Sequence, residues 1–144
     1  MKTHLNLATT DLEKSVAFYS TLLDARPAKV LQDYALFITD RPGLELALDL
    51  RPDVLPARDA HYGVFVETAD DVERAITRLK DAGLASSIER EETCCYASQT
   101  KVWAVDPEGR RWEVYTVHEE TEDRDDDGNA CCGGPAECQL LSAS

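Results

Sequence analysis

Hydrophobic and polar positions change period several times along this chain. THLNLA (3–8) alternates and predicts a strand. Leu12, Val16, Tyr19 and Leu23 then recur at helical intervals. They predict an amphipathic helix over about 11–24, opened by the capping-box spacing of Thr10-Asp11-Leu12-Glu13 and ended by Pro27. KVLQ (29–32), YALFIT (34–39) and LELALDL (44–50) read as strands, the last two joined at Arg41-Pro42-Gly43. The order then repeats. HYGVFVE (61–67) is a strand. Asp70 and Glu73 open a second helix carrying Val72, Ile76 and Leu79, which Gly83 closes. IERE (88–91), KVWAVD (101–106) and RRWEVYTV (111–118) follow as strands, with Pro107-Glu108-Gly109 as a turn.

Each half is therefore βαβββ, and Asp11-Leu12-Glu13 aligns with Asp71-Val72-Glu73 at an offset of 60. The fold class expected is α+β: two βαβββ modules paired around a metal-binding cleft, with an acidic, cysteine-containing C-terminal tail. The first module spans 1–52, a linker with Pro52 at its edge and Pro56 inside spans 53–60, the second module spans 61–118, and 119–144 is expected to be a disordered acidic tail. In that tail eight acidic and one basic side chain contribute −7 of the net −13. Such a balance argues against nucleic acid, which needs a basic face. No stretch approaches the roughly 18 apolar residues of a spanning helix, so no membrane partner is expected. The N-terminus lacks a signal-peptide pattern, and a cytoplasmic protein is expected.

Strand alternation selects the chemistry. A four-stranded sheet with a helix on one face leaves the other face open, and two such faces can enclose a cleft. His4 shares a face with Asn6 and Ala8, His61 with Gly63, Phe65 and Glu67, and Glu113 with Tyr115 and Val117. Two imidazoles and one carboxylate can hold a metal and leave positions open for other ligands. The alternative is an ordinary buried polar pair, or solvated side chains. His118 has the opposite parity and reads as a surface residue. Glu45 is the first-module counterpart of Glu113. It either adds a fourth ligand or is a solvated carboxylate.

The five cysteines are Cys94, Cys95, Cys131, Cys132 and Cys138. Adjacent residues fit disulfide geometry poorly, which leaves soft-metal or metalloid binding, or redox work. Cys94 and Cys95 can equally be small buried hydrophobes. Joint chelation by that pair needs a loop or a bulge, because neighbours on a regular strand face opposite ways. The tail cysteines match no four-ligand zinc module. Tyr96, Trp103 and Tyr115 either line a pocket or are core, with Trp103 the clearest core residue.

These segments resemble the vicinal oxygen chelate superfamily of glyoxalases, bleomycin- and fosfomycin-resistance proteins and dioxygenases. The repeat and Asp106-Pro107-Glu108-Gly109-Arg110-Arg111-Trp112-Glu113 carry the likeness, over about residues 2–118. THLNLATTDLEKSVAFYSTLL, ARPAKV, YALF, TCCYASQTKVW and WEVY are similar to its C–As lyase and cadmium-induced branch. The resemblance implies an iron(II)- and dioxygen-dependent enzyme that cleaves trivalent organoarsenicals to arsenite. It implies metal ligands at His4, His61 and Glu113, and arsenic capture by Cys94 and Cys95. Two other readings stay open. One is a glyoxalase- or fosfomycin-resistance-like metalloenzyme using Glu45, and the other is a non-enzymatic cadmium- or arsenic-binding protein. Paired modules can assemble within one chain or between two, so a homodimer stays open.

Overall fold

A computed structural model describes residues 1–55, 58–94 and 97–120, without the side chains of 93, 94, 97 and 120. The chain divides into two compact units. The first is Met1–Arg58 with Asp106–Arg110, and the second is Asp59–Val105 with the chain from Arg111 on. Cys95, Tyr96 and the segment 121–144, with Cys131, Cys132 and Cys138, lie outside the described residues.

In the first unit β1 (Thr3–Thr9) is followed by α1 (Leu12–Leu23), β2 (Lys29–Val30), β3 (Tyr34–Asp40) and β4 (Gly43–Leu50). The sheet order is β1-β4-β3-β2, with β1 parallel to β4 and the other pairs antiparallel. Leu7, Leu48 and Ala35 lie in one cross-strand row and Leu46 and Phe37 in the next, all buried. This is the face that α1 covers, with Leu12, Tyr19, Leu22 and Leu23 buried against the sheet side. The helix starts one residue later than the capping box suggests. Asp11 is the N-cap and accepts from the Lys14 amide at 3.0 Å, while the Thr10 hydroxyl donates to Glu108 Oε1 at 2.8 Å. It stops at Asp24, in the left-handed region at φ 50°, before Pro27 is reached.

The second unit repeats the plan. It comprises β5 (His61–Phe65), α2 (Ala69–Asp81), β6 (Ala85–Cys94), β7 (Ala97–Val105) and β8 (Arg111–Glu120), in sheet order β5-β8-β7-β6. Val64, Val114, Val102 and Ile88 form a buried row across its four strands, on the side of α2. Tyr62 stacks on Trp112 at 4.9 Å on that same side. Thr68, not Asp70, caps α2, accepting from the Asp71 amide and donating to its carboxylate. The helix N-caps are thus Asp11 and Thr68, and the equivalence of the two units runs at an offset of 57, the separation of His4 and His61. Gly83 does end the helix. With φ +70° its amide donates to Lys80, and the Leu84 amide donates to Leu79, the two bonds of a Schellman closure.

The turn between β7 and β8 is fixed by one buried carboxylate. Asp106 accepts from the Tyr19 hydroxyl (2.6 Å), the Glu108 and Arg110 amides (2.9 and 2.8 Å) and the Arg110 guanidinium (3.0 Å). Arg110 also donates to the Ala8 carbonyl at 2.7 Å. These bonds set where β8 begins and hence the register of Glu113. Among the described residues, no helix is long and apolar enough to cross a membrane.

Candidate metal and substrate site

The face of the second sheet turned away from α2 is laid out by register. One row across the strands is Ser87, Trp103, Glu113 and Gly63. The next is Glu89, Lys101, Tyr115 and Phe65. A third brings Val105, Arg111 and His61 together. Apolar packing is left to the opposite face, so this face can be polar and still part of a stable sheet.

His61 and Glu113 meet on it, with Nε2 3.5 Å from Oε1. Two ligands each about 2.1 Å from a metal stand about 3.0–3.4 Å apart, so this pair needs only a few tenths of an ångström to share one. The His61 ring meets Trp103 edge to face at 5.2 Å. Gly63 leaves room for this pair: a Cβ on it would meet the Tyr115 ring at 3.0 Å and Glu113 Oε1 at 3.3 Å, so those side chains would have to give by a few tenths of an ångström.

His4 lies in the other unit, directly opposite Glu45, with Nδ1 3.7 Å from Oε2. Glu45 is therefore beside a candidate ligand and not simply solvated at a distance from one. Asn6, two residues on, donates to Asp49 at 2.9 Å. Among the described residues no group of three His, Cys, Asp or Glu side chains forms a ready metal cluster. What the structure brings together is two imidazole–carboxylate pairs, one in each unit.

The backbone of Cys94 ends β6 opposite Ala97, the first residue of β7. The side chain of Cys94 and all of Cys95 lie outside the described residues. Six residues separate Ala97 from Trp103, the residue opposite Glu113, a strand path of about 20 Å. Two bulges interrupt that path. Arg90 and Glu91 oppose Thr100, with Glu91 at φ 52°, and His118 is the extra residue opposite the Ser98–Gln99 step. His118 is exposed, as its parity predicts, yet it does more than face solvent. Its Nε2 is 2.7 Å from the Thr100 hydroxyl, which accepts from the Glu91 amide at 3.1 Å, tying the two bulges together.

Sequence reasoning missed the two residues that dominate the electrostatics. Lys101 and Glu89 are each 1% exposed. The Lys101 ammonium lies 2.8 Å from Glu113 Oε2, an ion pair by distance whose angles make no directed hydrogen bond. It also sits 5.6 Å from the Trp103 ring and 5.9 Å from the Tyr115 ring. Trp103, buried as expected, is on this polar face and donates its Nε1–H to Glu89 Oε1 at 3.2 Å. A charged residue in a strand usually faces water, which is why neither was singled out. The signal was parity, since Lys101 is in step with Trp103 and so with Glu113.

Burial pushes the Glu89 carboxyl up to about 7, against the pull of Lys101, while Glu92 and Glu113 add to the rise. The folded protein thus holds a proton that the unfolded chain releases near 4.5. Stability is greatest below the unfolded value and falls as pH rises towards 7, by roughly 3 kcal/mol in total. Glu89→Gln is expected to abolish that fall. Urea midpoints at pH 5 and pH 8 check it, and wild-type and variant curves that run parallel would contradict it.

The donor set suits a divalent cation. It offers imidazole nitrogen and carboxylate oxygen, and the buried Glu113 Oε2 has no hydrogen-bond partner.

Two βαβββ units with the same sheet order define the class of fold. Residues 3–114 match the Glyoxalase/Bleomycin resistance protein/Dioxygenase superfamily, and the chain belongs to it. Within that superfamily it is similar to the trivalent organoarsenical cleaving enzyme of Thermomonospora curvata, 42% identical over 91% of this chain and 87% of that one. It is likewise similar to the cadmium-induced protein CadI of Mycobacterium bovis, 38% identical over 92% and 93% of the two chains. A solved glyoxalase/bleomycin resistance protein/dioxygenase from Alicyclobacillus acidocaldarius shares the fold at a TM-score of 0.65. It is 18% identical, over 83% of this chain and 92% of that one.

Proposed function

We propose that this protein is an iron(II)-dependent, dioxygenase-type lyase that cleaves the carbon–arsenic bond of trivalent organoarsenicals and releases arsenite. The observation that carries the reading is the approach of His61 to Glu113 on a sheet whose strand β6 ends at Cys94. The likeness to an enzyme named for cleaving such compounds supports the substrate.

His61 and Glu113 hold the metal together with His4. Bound there, iron(II) supplies the activation of dioxygen. Cys94 and Cys95 exchange their two S–H bonds for two As–S bonds, the arsenic hydroxyls leaving as two waters. That captures the arsenical as a chelate and makes its cleavage intramolecular. A second reading is favoured by the place of Glu45 opposite His4: a glyoxalase-like enzyme in which Glu45 is the fourth ligand of a different divalent ion.

The test is turnover. Metal-free protein reloaded anaerobically with iron(II), then given methylarsenite and air, is expected to release many arsenite molecules per chain. Release of one or fewer would replace the enzyme with a thiol-based binding protein, and equal release without iron would overturn the iron dependence.

A further inference from the structure

Among the described residues, four buried side-chain polar atoms lack a hydrogen-bond partner: Ser87 Oγ, Glu89 Oε2, Lys101 Nζ and Glu113 Oε2. All four belong to one face of one sheet, in two adjacent cross-strand rows. Natural proteins keep such atoms few, so four on one face mark a place where partners change.

We propose that Lys101 is the resident cation of this face and Glu89 its second resting place, so that a divalent ion taking Glu113 displaces the Lys101 ammonium onto Glu89. The inference rests on the reading of Glu113 as a metal ligand. Register supplies the geometry. Lys101 is directly opposite Glu89 on β6 and one row from Glu113 on β8, so one flexible side chain stands between two carboxylates. Its ion-pair partner among the described residues is Glu113, at 2.8 Å. A divalent ion on that carboxylate would repel an ammonium held against the same group at low dielectric.

The Lys101 ammonium is buried beside the Trp103 and Tyr115 rings. Glu89, directly opposite on β6, offers it an acceptor. The Trp103 N–H holds Glu89 Oε1, and Oε2 is without a hydrogen-bond partner. The Glu89 carboxyl, pushed up to about 7 by burial, gives its proton up to solvent and becomes a carboxylate once the ammonium reaches it. Glu89 is then a positioning residue. It binds no metal and touches no substrate, but it decides whether Glu113 can be released to a metal.

A double-mutant cycle on the metal-free full-length chain tests this, read by anaerobic calorimetric titration with iron(II). Glu89→Gln is expected to weaken iron(II) binding about tenfold, whereas in a Lys101→Met background the same change should matter less than about twofold. Glu89→Asp, which keeps a carboxylate, should recover most of the loss. A purely structural role for Glu89 would weaken binding equally in both backgrounds, and that result, or no loss in either, overturns the proposal. If wild-type protein takes up no iron(II), or His61→Ala leaves uptake unchanged, the ligand reading falls and this inference with it. Uptake that depends on His61 but not on Glu89 sinks the inference alone.

Discussion

Alanine at Cys94 or at Cys95 is expected to lower arsenite release by more than about a hundredfold while leaving iron(II) bound, because capture by two sulfurs is what makes the cleavage intramolecular. A single thiolate holds arsenic by one bond and lets it turn or dissociate. Two adjacent thiolates fix both its position and the direction of its organic group. Neighbours on a regular strand point to opposite faces, so joint capture needs the strand to end between them. β6 stops at Cys94 and β7 starts at Ala97, and Cys95 lies outside the described residues. The thiols are not in the proposed ligand set, so metal content should be unchanged. Arsenite release and iron content, measured on the same preparations, check both halves of the statement. Full turnover in both variants would end the assignment.

Asp106→Ala should cost about 3–5 kcal/mol of stability, the range for removing one partner of a buried ion pair. The carboxylate takes four hydrogen bonds, and its loss removes the ion-pair partner of the Arg110 guanidinium and an acceptor of the buried Tyr19 hydroxyl. Asp106→Asn keeps an acceptor oxygen and should lose less. The readout is the urea midpoint of each variant, and a loss below about 1 kcal/mol for alanine would show that the turn is held by other contacts. Because the same turn sets where β8 starts, partially destabilised variants should also bind iron(II) less tightly.

The duplicated βαβββ plan was legible because each strand and helix of the two units alternates or repeats with its own period. The failures have particular physical causes. Thr10 could not cap α1 because Glu108, far along the chain, takes both its amide and its hydroxyl. No local spacing reveals such a partner. Strand β6 was recognised only over 88–91, whereas it runs over Ala85–Cys94. The bulge at Arg90–Glu91 breaks the alternation on which the reading depended. The parity of His61 and Glu113 was right, and the structure sets them side by side. Lys101 and Glu89 were passed over because charge in a strand signals solvent until register shows which face it occupies. Register was also what revealed Glu45 opposite His4, a pairing that depends on a parallel contact between strands 41 residues apart.

The account stands or falls on whether arsenic held by the vicinal thiols comes next to the metal held by His61 and Glu113. Electron paramagnetic resonance of anaerobic, iron(II)-loaded protein with nitric oxide as a reporter reads this directly. Adding methylarsenite should change the iron–nitrosyl spectrum of the wild type and leave that of Cys94→Ala and Cys95→Ala untouched. A wild-type spectrum that does not respond to the bound arsenical would contradict it.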